Sequence, residues 1–175
     1  RRSSDLLTAE FATEYLLTVS SEYGGLAQST WVMEGSIVNI SAPTVVNISA
    51  GSRVLFNGWA GDVVSSNPVI SLKVNHPLSI EATWRTQHLL SLSFRDKAGR
   101  SISPSWVELS GPSGVLNVTS YESWVDEGEW KIEKAWYKGV DVCPVIDASY
   151  DVSKPLAIDV PCEVYDAKLV LKDAT

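Results

Sequence analysis

Ala82-Thr-Trp-Arg-Thr-Gln-His-Leu-Leu-Ser-Leu92 aligns without a gap on Ala9-Glu-Phe-Ala-Thr-Glu-Tyr-Leu-Leu-Thr-Val19, at an offset of 82 − 9 = 73 residues. Ala, Thr, Leu and Leu are identical, and Trp/Phe, His/Tyr, Ser/Thr and Leu/Val are close in type. Each copy reads as a strand that closes one unit, an Arg-Thr or Ala-Thr step, and a strand that opens the next. A fixed period of this kind marks stacked modules and sets the domain plan before any local reading. It gives two modules, 14–86 and 87–175, preceded by a detached strand over 1–13. A weaker echo sets Leu90–Ala98 against Ala167–Ala174, so the chain is expected to start on the closing strand of one unit and end on the opening strand of another.

On either side of the repeat, nearly everything reads as short strands broken by turns. The clearest runs are 15–20, 36–42, 52–59, 69–74, 78–84, 88–94, 115–119, 129–137, 156–160 and 163–172. They are rich in Val, Ile, Leu, Trp and Thr and are punctuated by Gly24-Gly25, Ala50-Gly51, Gly111-Pro112 and Lys138-Gly139. No window of 11 or more residues shows a 3.6-residue period. The expected fold is therefore all-β: two small modules with sandwich or barrel-like packing.

Composition narrows the function. Of 175 residues, 45% are hydrophobic, enough to build a core. No apolar run nears the roughly 18 residues of a membrane helix, so no membrane span is expected. The net charge is −7 with no basic run, which leaves no electrostatic basis for binding nucleic acid. One Met, away from position 1, suggests a processed or excised chain. Two His and two Cys leave few parts for catalysis. No cofactor or metal is called for, and a building or binding protein is favoured over an enzyme.

Two features point outside the cytoplasm. Cys143 and Cys162, 162 − 143 = 19 positions apart, fit no zinc pattern. A disulfide between them would add about 3 kcal/mol by loop entropy; two free, buried thiols are the alternative. Asn39-Ile-Ser41, Asn47-Ile-Ser49 and Asn117-Val-Thr119 are acceptor sequences for N-linked glycans. Period-2 patterning turns Asn39 and Asn117 outward, away from Val38, Ile40 and Ala42 and from Leu116 and Val118. Ordinary polar positions on half-buried strands would read the same way. No signal peptide follows Arg1-Arg-Ser-Ser, so an exported form would already have lost it.

The order Tyr15-Leu-Leu-Thr-Val-Ser-Ser-Glu-Tyr-Gly-Gly25, Trp31-Val-Met-Glu-Gly-Ser36, Phe56-Asn-Gly-Trp-Ala-Gly-Asp62, Asn67-Pro68, Asn75-His-Pro77 and Ile80-Glu-Ala-Thr-Trp84 resembles the divergent InlB B-repeat module of bacterial and archaeal surface proteins. The likeness covers about 70 residues and implies a β-grasp-like or barrel-like spacer or adhesion module. The second half is more loosely similar to immunoglobulin- or transthyretin-like sandwiches strung along archaeal surface proteins. It shares Leu92–Gly99, Val107–Pro112, Gly128–Ile132 and Trp136–Val142 with them. Both likenesses bear on function only by analogy.

Trp59 and Asp62 are candidates for a carbohydrate platform, a ring with an acceptor beside it. A packed Trp over a tight turn, with Asp holding backbone amides, is the competing reading. The other tryptophans fall mostly on the apolar phase of strands, as core side chains. His88 takes the inward place of Tyr15 in the repeat, and His76 precedes Pro77 in a turn. Neither histidine can be placed beside a nucleophile from sequence. The carboxylates at Asp126, Glu127 and Glu129 lack the spacing of a calcium loop.

The first strand carries the functional expectation. Leu6, Leu7, Ala9 and Phe11 form an apolar donor face with no module before it, a hazard unless something covers it. Insertion into a neighbouring copy, head to tail, would cover it and would propagate into a filament. This resembles archaeal thread-like pili, in which an N-terminal strand completes the next subunit. The expectation is thus a non-enzymatic, extracellular structural subunit of a cell-surface filament. The alternatives are a fragment of a tandem-repeat surface or S-layer protein, a carbohydrate-binding adhesin, or an accessory β-domain of a secreted enzyme.

Overall fold

A computed structural model describes residues 9–142 and 148–164. The described residues form strands and turns with no helix. The chain divides into two compact units, Arg1–Val46 with Val54–Arg85, and Asn47–Arg53 with Thr86–Thr175. The repeat assigned 47–53 to the first module; in the structure they cluster with the second. The reason is local, because Gly51, Ser52 and Arg53 bond to Leu89, His88 and Gln87 at the start of the second unit's opening strand.

The first unit uses β1 (Glu14–Ser21), β2 (Gln28–Met33), β3 (Ile37–Ser41), the start of β4 (Val45–Ser49), all but the first two residues of β5 (Ser52–Gly61), β6 (Val69–Lys73) and the first half of β7 (Leu78–Arg95). Its main sheet runs β2-β1-β7-β5-β4, with β1 and β7 parallel at the centre and Leu17 opposite Leu78. The antiparallel pair β3-β6 supplies the second layer. Alternation explains the core between them: Leu17, Val19, Ile40, Ile70, Leu72 and Ile80 are buried, while Asn39, Ser71, Ser79 and Glu81 face out.

β7 is one 18-residue strand. The sequence reading split it at Arg85-Thr86, yet the even-numbered positions are buried or half-buried from Leu78 to Phe94, so the strand continues without a turn. Its first half closes the first unit and its second half opens the second. There it lies between antiparallel β10 (Glu122–Asp126) and parallel β14 (Leu156–Pro161). The facing sheet contains β8 (Trp106–Gly111), β9 (Gly114–Val118), β11 (Gly128–Tyr137), β12 (Val140–Asp141) and β13 (Ser149–Val152). It runs β12-β11-β8-β9, with β13 also on β11. The core holds Leu90, Leu92, Phe94, Leu109, Trp130, Ile158 and Val160. Gly111 is required where it stands: an added Cβ would lie 2.2 Å from the Trp130 ring.

Strands β2, β4, β8, β10, β12 and β13 were not among the clear runs. β2 is exposed at five of its six positions and β4 at four of its five, so neither shows alternation.

Candidate functional site

The Gly58-Trp59-Ala-Gly61-Asp62 stretch is a structural turn. Trp59 is only 2% exposed. Its ring lies edge-on to Phe56 at 5.4 Å, and Phe56 in turn meets Trp84 at 5.7 Å. The backbone N–H of Trp59 donates to Ser65 O at 2.7 Å. Gly61, at φ +95°, brings the chain so close to Ser79 O that a Cβ would sit 2.5 Å away. Asp62 Oδ2 then accepts the Ser79 N–H at 2.7 Å, and the Asp62 N–H donates to Ser79 O at 3.0 Å. A sugar has no face of Trp59 to stack on, and the geometry matches the packed-Trp reading.

The expected bridge between Cys143 and Cys162 is corrected. Cys162 is a free, buried thiol at the end of β14, with its Sγ 3.7 Å from Val160 O; Cys143 lies outside the described residues. Burial pushes the Cys162 thiol up to about 11, against the pull of the Arg95 backbone bond. A thiol held protonated among Leu92, Phe94 and Val160 behaves as a small apolar core side chain.

Of the donor face, Leu6 and Leu7 lie outside the described residues. Ala9 and Phe11 are exposed and in no strand, and Phe11, at 95%, is the most exposed large hydrophobic side chain described. Asn39, Asn47 and Asn117 are all exposed on strands β3, β4 and β9.

One further cluster leaves no pattern in the sequence. In the second unit, Ser52 Oγ lies 2.8 Å from His88 Nδ1, and Glu127 Oε2 is a longer 3.5 Å from Nε2. Beside it, Arg53 donates twice to Gln87 Oε1, at 3.0 and 2.8 Å, and Gln87 Nε2 donates to Asp126 Oδ1 at 2.8 Å. The Arg53 guanidinium also stacks 4.3 Å over the Trp124 ring. A serine, a histidine and a carboxylate are therefore in a row, which the sequence reading did not place together. Ser52 and His88 are both buried, and the serine meets Nδ1 while the carboxylate faces Nε2. The row ties the 47–53 turn to β7. The signal available in sequence was His88 alone, polar at an inward position. Among the described residues no group of three or more His, Cys, Asp or Glu is placed to hold a metal ion.

Taken together, these features define an all-β protein of two sandwich-like units with exposed apolar residues ahead of its first strand. No protein-family model matches the chain, and no curated protein matches it.

Proposed function

We propose that the protein is a non-enzymatic structural subunit of an extracellular filament, in which residues 6–11 add as a strand to a neighbouring copy. The carrying observation joins the repeat to the fold. At the offset of 73, Leu7, Ala9 and Phe11 correspond to Ile80, Ala82 and Trp84. Ile80 and Ala82 are buried on the closing strand of the first unit, and Trp84 packs on Phe56 and Tyr23. Residues 5–21 thus have the pattern of β7, a strand that closes one unit and opens the next. Phe11 has the chemistry of a packed aromatic and stands in water.

Each described unit already holds its own closing strand, β7 in the first and β14 in the second. The incoming strand therefore adds at a sheet edge, with backbone bonds giving affinity and alternate side chains giving register. The same fact supports a second reading, in which the strand closes a preceding module of one longer tandem surface protein. Sedimentation of the chain over a concentration series tests the first reading. Self-association abolished by Phe11→Asp supports it; a monomer at every concentration favours the tandem protein.

A further inference from the structure

Three five-residue stretches share one pattern: Ile37-Val-Asn-Ile-Ser41 on β3, Val45-Val-Asn-Ile-Ser49 on β4, and Val115-Leu-Asn-Val-Thr119 on and just past β9. Each reads aliphatic, aliphatic, Asn, aliphatic, hydroxyl residue. Strand alternation puts the first, third and fifth side chains on one face. That face is solvent in all three cases, since the Asn and the Ser or Thr are exposed. The anomaly is the first position. Ile37 is 68% exposed, Val45 43% and Val115 65%, so a β-branched aliphatic side chain stands in water two residues before every acceptor Asn.

The same strands are edges. Among the described residues β3 pairs only with β6, β4 only with β5 and β9 only with β8. Edge strands with exposed aliphatic side chains are templates for unwanted pairing, and none of the three carries a Lys or Pro to blunt it. Across the ladder, Asn39 faces Ser71 and Asn117 faces Glu108, polar neighbours that leave an attached group free to lie along its own strand. Beside Asn39, Val69 is 54% exposed opposite Ser41 and widens the apolar ground.

We propose that Asn39, Asn47 and Asn117 carry N-linked glycans whose innermost sugars lie over Ile37, Val45 and Val115, covering each exposed aliphatic side chain and screening its strand edge. Attachment joins Asn Nδ2 to the anomeric carbon of an oligosaccharide carried on a polyisoprenyl diphosphate. The bond from that carbon to the diphosphate oxygen breaks, and the diphosphate and one amide proton leave. The sugar's apolar C–H face then removes aliphatic surface from water, and its bulk keeps other strands away. This holds whether or not the chain forms filaments.

The test uses the full chain secreted from a host that transfers such oligosaccharides. Ser41→Ala, Ser49→Ala and Thr119→Ala remove the acceptor sequences and keep each Asn. Ile37→Thr, Val45→Thr and Val115→Thr keep the acceptor sequences and remove the aliphatic ground. Intact mass should show three glycan increments, one fewer in each acceptor variant. The glycosylated chain should melt at a higher temperature than the chain lacking all three acceptors. In the aliphatic variants that upward shift should disappear, with the melting of the unglycosylated background unchanged. Absence of any glycan increment, or an upward shift of equal size in the aliphatic variants, overturns the proposal.

Discussion

Leu90 stands directly opposite Leu156 across the parallel pair of β7 and β14, and it holds in the second unit the place that Leu17, opposite Leu78, holds in the first. The offset of 73 that equates the two leucines in sequence, 90 − 17 = 73, therefore equates them in structure. In both units the opening strand runs parallel to the closing strand through the core. Such a pair cannot be joined by a tight turn, so the rest of each unit is the crossover.

Leu17 and Leu90 are each 1% exposed, so truncation leaves a cavity as well as losing transfer energy. Leu17→Ala and Leu90→Ala should each cost about 2–5 kcal/mol. Amide hydrogen exchange should show the loss of protection in β1, β2 and β6 for the first, and in β10, β11 and β14 for the second. Loss confined to the opposite unit in either variant would contradict the two-core description.

Gly111→Ala should destabilise the second unit by about 1–3 kcal/mol through overpacking against Trp130. Trp130 also donates its indole N–H to Asp126 O at 2.7 Å, so the ring cannot withdraw without losing a hydrogen bond. Urea unfolding followed by tryptophan fluorescence reads the change; an unaltered midpoint would mean the ring moves freely.

Ser52→Ala removes the partner of a buried histidine nitrogen. Leaving His88 Nδ1 unpaired should cost about 1–3 kcal/mol. The double variant Ser52→Ala, His88→Leu should recover part of the loss, because no unpaired polar atom remains. A double-mutant cycle in urea gives the coupling directly; additive losses would show that the hydrogen bond is immaterial.

The repeat and the alternation of residues such as Leu17, Val19, Leu90 and Leu92 made the all-β fold legible, because burial on one face of a strand writes itself with period 2. Strands β2 and β4 were not legible, because their side chains are exposed on both faces and their strand character comes from ladder partners. The continuity of β7 was hidden by Arg85-Thr86, which reads as punctuation but sits in phase with both halves. Trp59 and Asp62 were legible as a turn. The meeting of Ser52 with His88, 36 residues apart, depends on the 47–53 turn joining the second unit, and no local pattern records that. In sequence Cys162 reads as half a disulfide, with a buried free thiol as the alternative; the structure shows the free thiol.

Acid should weaken the second unit. For Asp96, burial raises the carboxyl, but the Arg100 N–H, its guanidinium and the Ala98 N–H outweigh it and hold Asp96 below 3.8. The Ser93 hydroxyl and the Arg95 guanidinium hold Asp159 below 3.8 in the same direction. A depressed folded-state value contributes stability that is complete above the unfolded value and is lost as pH falls through the folded one. Denaturation midpoints should thus be flat above about pH 5 and fall below about pH 4. In Asp96→Asn the fall should be shallower; an identical fall would remove Asp96 from the account.

Cys162 should resist alkylation. Raising the thiol from 9.0 to about 11 lowers the thiolate fraction near neutral pH by about 100-fold, before burial slows access further. Iodoacetamide labelling mapped by peptide mass should find Cys162 unmodified in the native chain and labelled in urea. Rapid labelling of the native thiol would contradict its place in the core.

Negative-stain electron microscopy of the full chain beside a chain lacking residues 1–13 tests the central claim most directly. Filaments or linear strings from the full chain, and only single particles from the shortened one, are the predicted result. Filaments that still assemble without residues 1–13, or single particles from both chains at high concentration, would contradict strand addition by Leu7, Ala9 and Phe11.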